Sequence, residues 1–364
     1  MKTIGILTHY QVHNHGAILQ MHGLYNTLKN FGLSPVVLTY QKDFSFLDKG
    51  LSNKYNLSLK SIPFYLGYLK KQGFAKTLFN FKKQRLLSRF KTENYTFSPL
   101  QQQDLDYAVI GSDEVLSLEV GVNIMMYGHT VPAQTVFSYA ASFGQTGVER
   151  IKQKHCTALI ASGLKTFKAI CVRDKASAET VQTLTGISPQ ICFDPVLLYG
   201  FEKELKQTEY NVPQVPYLVV YAYDNNLNDP DEVKKIKTFA AKHNLKIVSV
   251  GFYHKWADIN LNVNPLELLQ VIKKAKYVVT DTFHGSVMSI LLNTPFAVKV
   301  RDMNINKIGY LLESLGADSR KMSSFDDLEK VLLSNTDWQK INNNILNLRK
   351  QGMQYLQGVL NEQK

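Results

Sequence analysis

Four short polar clusters follow apolar strands of this sequence, and they hold the residue types best suited to chemistry. In open α/β sheets, ligands bind beyond the carboxyl ends of strands, where helix N-termini present free N–H groups. Any one cluster is more typical of a turn or a helix cap, but four at such positions favour a binding site. The clusters are His13-Asn14-His15-Gly16, Gly111-Ser112-Asp113, Ser142-Phe143-Gly144 and Asp281-Thr282-Phe283-His284-Gly285.

His284 and Arg173 are the side chains in these positions that could hold or protonate an anionic substrate. His284 follows an apolar strand and precedes Gly285, which permits close backbone approach. It could act as a general acid or bind carboxylate or phosphate, and a partly buried structural histidine is the alternative. Arg173 follows a strand predicted over 169–172. Its guanidinium suits a bidentate grip on phosphate or carboxylate, with a surface pair to Asp174 as the alternative.

Three further histidines, His9, His13 and His15, cluster in the loop after the first strand. Zinc sites in proteins combine histidine with thiolate or carboxylate ligands, and this loop holds no such partner. A chance cluster is therefore a better interpretation than a metal site. The sequence predicts neither a metal nor a cofactor.

Short apolar strands alternate with helical segments along the chain, and these elements must position the clusters. Such alternation is typical of α/β domains with parallel sheets. A polar segment with two prolines, 201–216, divides the alternation into two halves and is predicted to be a linker. The strands are predicted over 4–8, 36–40, 107–110, 135–139, 169–172, 190–192, 217–221, 246–250, 277–280 and 296–300.

The predicted fold class is therefore α/β, with two Rossmann-like domains facing a cleft. The N-terminal domain is expected over residues 1–200 and the C-terminal domain over 201–335. The segment 336–364 is predicted to be a helix that returns to the first domain, because its apolar residues recur at helical spacing.

The composition of the 364 residues is that of a globular protein, with 45% hydrophobic and 20% charged residues. The formal charge of +12 favours anionic partners such as phosphorylated substrates, an anionic membrane surface or nucleic acid. No leader peptide and no transmembrane segment are predicted, and three separated cysteines are expected to be buried free thiols. These features predict a cytoplasmic protein. The cysteines are Cys156, Cys171 and Cys192.

The segment 54–91 interleaves many lysines and arginines with tyrosines and phenylalanines. Basic amphipathic helices of this kind can lie on anionic membranes, which would place the protein at the inner face of the membrane. An ordinary domain helix with aromatic residues toward its core is the alternative. A nucleic-acid partner is not expected, because no recognition motif accompanies the charge.

Six sequence blocks follow one another in order along residues 1 to 320. They are ILTHYQVHNHGAILQMHGL, DYAVIGSDEV, SYAASFG, VRDKAS, FDPVLL and VVTDTFHGSVMSILLNTPF. Together they resemble the blocks of the polysaccharide pyruvyl transferase family. The resemblance implies a glycosyltransferase-B-like fold, an acceptor side in the first domain and phosphoenolpyruvate as the donor at the second. It also associates His284 and Arg173 with the donor.

Two departures from the family pattern affect the expected site. Thr282 and Phe283 stand where some members have arginine and leucine, so a donor-site cation is expected elsewhere, with Lys299 or Arg301 nearest. The Gly-Ser-Asp block continues with Glu114-Val115-Leu116 where glutamine and tryptophan are usual, which affects the acceptor side.

The reaction implied by the resemblance forms a cyclic pyruvate ketal on a sugar. It requires protonation of the donor's methylene carbon, attack by two sugar hydroxyls and loss of phosphate. His284 is the expected acid, Arg173 the anion clamp and Asp113 the first candidate for the base. The acceptor is a glycan, with a lipid-linked precursor as one option. The alternatives are a glycosyltransferase that uses a sugar nucleotide and an inactive glycan-binding protein.

Overall fold

Two parallel β-sheets form the framework of the protein. The computed structural model describes residues 1–40, 73–102, 104–120, 124–301 and 304–361. Within those residues, the first sheet has the strand order β3-β2-β1-β4-β5-β6-β7. Its strands are β1 (Thr3–Leu7), β2 (Ser34–Thr39), β3 (Phe97–Pro99), β4 (Leu105–Asp113), β5 (Ala133–Ala141), β6 (Cys171–Val172) and β7 (Gln190–Ile191).

The second sheet follows in the chain and has the strand order β10-β9-β8-β11-β12-β13. All strand pairs of both sheets are parallel. The strands of the second sheet are β8 (Tyr217–Tyr221), β9 (Lys246–Val250), β10 (Ile259–Leu261), β11 (Tyr277–Thr280), β12 (Phe296–Lys299) and β13 (Lys321–Met322).

Helices connect the strands and cover the sheets. The helices of the first half are α1 (His15–Asn30), α2 (Phe74–Asn94), α3 (Val148–Gln153), α4 (Thr157–Leu164), α5 (Lys175–Thr185), α6 (Pro195–Tyr199) and α7 (Glu202–Gln207). Those of the second half are α8 (Pro230–Lys242), α9 (Pro265–Lys274), α10 (Phe283–Leu291), α11 (Ile305–Leu315), α12 (Leu328–Leu333) and α13 (Trp338–Asn361).

The central strands are continuous apolar runs because helices cover both faces of each sheet. All five residues of β8 are buried. Parallel pairing aligns the carboxyl ends of neighbouring strands: Leu7 of β1 pairs with Ile110 of β4, and Thr280 of β11 pairs with Tyr221 of β8. Each domain therefore presents one edge at which several strands end and several helices begin.

A hydrophobic cluster continues from the first domain into the second. Leu19 of α1 and Val196 of α6 belong to the same buried cluster as strands of the second sheet. Helices α1 and α6 approach closely, since a Cβ built on Gly23 would lie 2.5 Å from the carbonyl oxygen of Pro195. The two domains are thus joined by packed apolar side chains as well as by the chain itself.

The last helix, α13, packs on both domains. Ile341 and Ile345 near its start belong to the cluster of the second domain, whereas Tyr355 and Leu356 belong to a cluster of the first. The Tyr355 hydroxyl donates to the carbonyl of Ser138 in β5 at 2.8 Å. The predicted fold is confirmed: two parallel α/β domains and a final helix that returns to the first domain.

The segment predicted as a linker, 201–216, connects the two sheets but contains helix α7. Phe201 is fully buried, so apolar packing holds the start of this connection in place. The basic and aromatic segment 54–91 lies only partly within the described residues. Residues 54–72 lie outside them, and 73–91 lie inside. Its described part belongs to α2, which buries Phe79.

Cys156, Cys171 and Cys192 are buried and free, as the sequence predicted. Burial raises the pKa of the Cys171 thiol well above its ordinary value. None of the helices in the described part of the chain combines the length and apolar character needed to cross a bilayer.

Candidate active site

The carboxyl ends of strands from both sheets enclose a cavity of about 290 Å³ at the junction of the two domains. Its wall combines loops after β1 and β4 of the first sheet with loops after β8 and β11 of the second. The residues that line it are His9, Val12, Asn14, Ala17, Asp113, Glu114, Arg173, Tyr221, Tyr223, Asp281, Thr282, Phe283, His284, Asn304 and Lys307.

Arg173, directly after β6, is the central cation of this cavity, and its side chain is only 2% exposed. One terminal nitrogen donates to Asp194 Oδ2 at 3.2 Å and the other to Asp113 Oδ1 at 3.3 Å. Its guanidinium carbon lies 4.4 Å from the centre of the Phe283 ring, which comes from the second domain. Burial alone would lower the pKa of Arg173, but the adjacent carboxylates Asp113 and Asp194 raise it above its ordinary value. The buried guanidinium is therefore charged.

His284 reaches the same carboxylate from the opposite domain. It lies in the first turn of α10, and its Nε2 is 3.4 Å from Asp194 Oδ2. Thr282 caps that helix by accepting a hydrogen bond from the Gly285 N–H at 2.9 Å. The imidazole lies against Gly16 of α1, where a Cβ would collide with the ring. A side chain at that position of α1 would displace the histidine.

Asn14 fixes the start of α1 opposite His284. Its side-chain oxygen accepts hydrogen bonds from the backbone N–H groups of Gly16 and Ala17, at 2.8 and 3.3 Å. The N-termini of α1 and α10 thus meet at the cavity. The partial positive charge at each helix start favours an anion between them.

Asp113 ends strand β4 with a φ of 84°, a conformation that residues other than glycine rarely adopt. Such strained positions persist where surrounding structure holds them and are concentrated at functional sites. Burial would raise the pKa of Asp113, but Arg173 and then His284 outweigh burial and hold it well below the ordinary value of 3.8. The carboxylate is therefore ionised and can accept a proton, whereas it is not suited to donate one.

Asp194 contacts both the Arg173 guanidinium and the His284 imidazole. One of its oxygens caps α6 by accepting from the Val196 N–H at 3.0 Å, which leaves the other for Arg173 and His284. The carboxylate is fully buried. Burial would raise its pKa, but His284 and Arg173 hold it below its ordinary value.

A second ion pair crosses the cleft between Glu114 and Lys307. The Lys307 Nζ of α11 lies 2.5 Å from Glu114 Oε1 of the first domain. Both side chains are about one quarter exposed, at 23% and 24%. Lys307 is therefore a cation of the second domain at the cavity, and it could exchange its carboxylate partner for a bound anion.

Arg301 and Lys299, the cations expected from the sequence, are placed differently. Arg301 Nε donates to Asp281 Oδ2 at 2.8 Å, so it stands behind a cavity-lining carboxylate. Lys299 Nζ donates to the carbonyl of Ser323 at 2.6 Å and is not among the lining residues. The cation from this part of the chain that lines the cavity is Lys307.

Several other predicted site residues are not in the cavity lining but lie next to residues that are. Ser112 is buried and donates to Gln20 Oε1 at 2.5 Å, and Ser142 is buried and donates to Asp174 Oδ2 at 2.7 Å. Gly111 has a φ of 125° and leaves no room for a Cβ beside Tyr139. Gly285 is hemmed in by the hydroxyls of Thr280 and Thr282. These residues hold the strand ends in place, while Asn14, Asp113, Arg173, Thr282 and His284 line the cavity together.

The sequence argument missed Asp194, Lys307 and Tyr221. Asp194 follows β7 and precedes Pro195, and this pattern is typical of an ordinary helix cap. Tyr221 ends strand β8, and its hydroxyl is buried without a hydrogen-bond partner among the described residues. The sequence signal that could have identified Asp194 and Tyr221 is their position at or just after the end of a strand. In the described ranges, no three histidine, cysteine, aspartate or glutamate side chains converge as a metal-binding group.

The two-domain architecture is similar to that of enzymes that act on UDP-sugars. The UDP complex of MnaA from S. aureus has 11% identity and a TM-score of 0.53, with 99% of this chain and 97% of that chain covered. UDP-GlcNAc 2-epimerase from Neisseria meningitidis has 10% identity and a TM-score of 0.51, with both chains fully covered. The Methanocaldococcus jannaschii enzyme, solved with UDP-GlcNAc and UDP, has 14% identity and a TM-score of 0.51, with 96% and 99% covered. At these identities the likeness shows the glycosyltransferase-B-like fold.

No curated protein sequence matches this chain. A family model does match it, over residues 14–302, and its description is polysaccharide pyruvyl transferase. That range contains the cavity residues from Asn14 to His284, including Asp113 and Arg173, together with the buried anchor Asp194. The chain belongs to the polysaccharide pyruvyl transferase family.

Proposed function

We propose that the protein transfers the pyruvyl group of phosphoenolpyruvate to two hydroxyls of a glycan, forming a cyclic ketal and releasing phosphate. The observation that carries this proposal is a pair of buried nitrogen atoms at the cavity. Arg173 Nε has no hydrogen-bond partner among the described residues, and His284 Nε2 makes no well-aligned hydrogen bond there, although it lies 3.4 Å from Asp194 Oδ2. Unsatisfied buried donors are costly, and the carboxylate or phosphate oxygens of this donor would satisfy both.

The arrangement supports a division of roles. His284, when protonated, gives its proton to the methylene carbon of the donor, and a sugar hydroxyl attacks the neighbouring carbon. Asp113 accepts that hydroxyl's proton. The carbon–oxygen bond to phosphate then breaks, and the second hydroxyl attacks the same carbon while its proton passes to the departing phosphate. The proton held by Asp113 then returns through solvent to His284. The products are the ketal and inorganic phosphate, so atoms and protons balance.

Donor binding also prepares Asp113 for its role. The carboxylate is a weak base while Arg173 is 3.3 Å away. A donor anion that pairs with the guanidinium in place of Asp113 removes this stabilisation. The pKa of the carboxylate then rises, so it is a stronger base when the acceptor hydroxyl arrives. No metal or cofactor enters this scheme. Phosphoenolpyruvate is a glycolytic metabolite, so the proposed reaction is cytoplasmic, with a glycan or a lipid-linked glycan precursor as acceptor.

The experiment is to incubate the purified protein with phosphoenolpyruvate and candidate glycans, including lipid-linked precursors, and to measure phosphate release and ketal formation. A parallel reaction contains UDP-sugars in place of phosphoenolpyruvate. Acceptor-dependent phosphate release supports the proposal. Release of UDP from UDP-sugars, without phosphate release from phosphoenolpyruvate, contradicts it.

The residue test is His284→Ala, which should lower turnover by about a hundredfold to ten-thousandfold, the range for losing a general acid. His284→Asn keeps a hydrogen-bond donor but cannot donate a proton readily, so it should restore donor binding without turnover. The exposed histidine His155 supplies the control, His155→Ala, which should leave turnover unchanged. Thermal unfolding of each variant separates lost chemistry from lost fold, and near-normal turnover in His284→Ala would remove the histidine from the mechanism.

A further inference from the structure

Helix α2 presents three large apolar side chains to solvent. Phe74 is 76% exposed, Leu78 is 40% exposed and Phe81 is 63% exposed. Their spacing of four and three residues places them along one line of the helix. Single exposed apolar residues are ordinary on protein surfaces, but a continuous row marks an interaction surface.

Basic side chains flank that row. Lys82, Arg85 and Arg89 are exposed, and their positions on the helical wheel lie within about one quarter-turn of the apolar row. From residue 73 to residue 92 the sequence holds no aspartate or glutamate. Glu93 follows, and it pairs with Arg89 at 2.7 Å. The outer face of α2, meaning these three apolar and three basic side chains, is therefore both apolar and cationic.

The opposite face of α2 is fixed to the body of the protein. Phe79, Leu87 and Phe90 are buried. The Phe79 carbonyl accepts a hydrogen bond from Asn262 of the second domain at 2.9 Å, and Lys83 Nζ lies 4.9 Å from the centre of the Phe252 ring. The outer face therefore belongs to a helix that packs against both domains, so its side chains are exposed on a fixed element of the fold.

The same helix supports the wall of the active-site cavity. Lys91 Nζ donates to the carbonyl of Tyr10 at 2.9 Å, and the His13 ring shares a hydrogen bond with the Ser88 hydroxyl at 2.9 Å. Both contacts hold the loop that carries Val12 into the cavity lining. A surface that binds the outer face of α2 would therefore lie close to the loop at the active site.

We propose that the outer face of α2 docks on a lipid bilayer whose surface carries anionic headgroups. An apolar row flanked by basic side chains matches the boundary between acyl chains and anionic headgroups, where apolar residues insert and cations remain at the surface. A second copy of the chain is a poorer occupant. In a two-fold dimer through this face, Lys82, Arg85 and Arg89 of each copy would approach the same cations of the other.

The docking surface is independent of the proposed reaction, so binding is measured without turnover. Sedimentation with phosphatidylcholine vesicles containing phosphatidylglycerol is compared with sedimentation with pure phosphatidylcholine vesicles. The unmodified protein should bind the anionic vesicles, and salt should weaken that binding. Lys82→Gln with Arg85→Gln should weaken it about 30-fold, since each basic residue near an anionic surface contributes a factor of roughly five. Phe74→Ser with Phe81→Ser should weaken it by at least about tenfold.

Matched controls change similar residues elsewhere. Leu346, 57% exposed on α13, gives the apolar control Leu346→Ser, and exposed Lys234 and Lys237 of α8 give Lys234→Gln with Lys237→Gln. Both controls should bind like the unmodified protein. Equal binding by all variants, equal binding to both vesicle types, or no binding would overturn the proposal. So would a dimer in sedimentation velocity that Phe74→Ser with Phe81→Ser abolishes, because this would assign the face to a second copy.

Discussion

Replacing Asp194 with asparagine tests whether one buried carboxylate positions both Arg173 and His284 at the cavity. The change keeps the shape of the side chain and leaves an amide oxygen that can still cap α6. It removes the charge that Arg173 contacts at 3.2 Å and that His284 faces at 3.4 Å. Asp194 is itself absent from the cavity lining, so any effect on turnover must pass through Arg173 and His284.

The expected loss of stability follows from the burial of the pair. The side chains of Asp194 and Arg173 are 0% and 2% exposed, and removing one partner of a buried pair costs about 3–5 kcal/mol. Arg173 keeps Asp113 at 3.3 Å, so the buried guanidinium still has one carboxylate partner. We therefore expect the lower end, about 3 kcal/mol. With Arg173 and His284 both mispositioned, kcat/KM should fall by about a hundredfold.

Urea unfolding gives the stability difference, and phosphate release from phosphoenolpyruvate gives turnover at temperatures where circular dichroism shows the variant folded. The control is Glu313→Gln, because Glu313 pairs with Lys175 at 3.4 Å with both side chains more than 60% exposed. An exposed pair of this kind contributes less than about 1 kcal/mol. Combining Asp194→Asn with His284→Asn should cost less turnover than the sum of the two single losses, because the share that passes through His284 is already lost. Additive losses, or a stable and active Asp194→Asn variant, would refute the positioning role.

Three other substitutions test the cavity. Gly16→Ala should destabilise the protein and lower turnover, because a Cβ there would displace the His284 ring; unfolding and activity assays measure both. Lys307→Gln should raise KM for phosphoenolpyruvate by about tenfold with a smaller change in kcat, as for a lost charged contact to the donor. His15 is buried against the Val263 carbonyl, and burial lowers its pKa from 6.5 to about 4. Because the unfolded chain binds the proton more readily, stability should fall below pH 6.5, by about 2 kcal/mol at pH 5, and His15→Gln should reduce that fall.

Each of these tests has its own control. Gly358 of α13 has open space around it, so Gly358→Ala should stabilise by about 0.5–1 kcal/mol; a stabilising Gly16→Ala would contradict the close approach. Lys299→Gln should leave KM unchanged, and the reverse result would favour the cation expected from the sequence over Lys307. An equal loss of stability between pH 7 and pH 5 with and without His15 would assign the acid sensitivity to other groups.

Much of the fold was predictable because buried parallel strands are continuous apolar runs. The predicted strands 217–221, 246–250 and 277–280 have the observed bounds. The strands that the sequence argument missed are β3, β10 and β13, which have two or three residues each. Segments so short carry no measurable periodicity, and their pairing at or near sheet edges is decided by neighbouring strands rather than by their own composition.

The cavity lining was predictable where polar residues stand at strand ends, as for His284, Arg173 and Asp113. Ion pairs were not predictable where they depend on how strands and helices pack together in the folded protein. Asp194 pairs with Arg173 because β6 and β7 are neighbours in the sheet, and no local spacing encodes that contact. The lysine that reaches the cavity belongs to α11, whereas Lys299 turns toward Ser323. Which of two nearby lysines enters a cavity depends on the path of the intervening loop, which the residue types leave open.

Helix α13 also determines the order in which the protein can fold during synthesis. Tyr355, Leu356 and Val359 complete a hydrophobic cluster that also contains Ile4 and other residues of β1. The ribosome synthesises these three residues only after it has synthesised the described strands of the second domain. Domains of a nascent chain generally fold from the N-terminus onward, but here the first domain keeps an open apolar groove until the last helix arrives. Release of the nascent chain before α13 would leave both domains translated, with the apolar surface that α13 covers on each of them exposed.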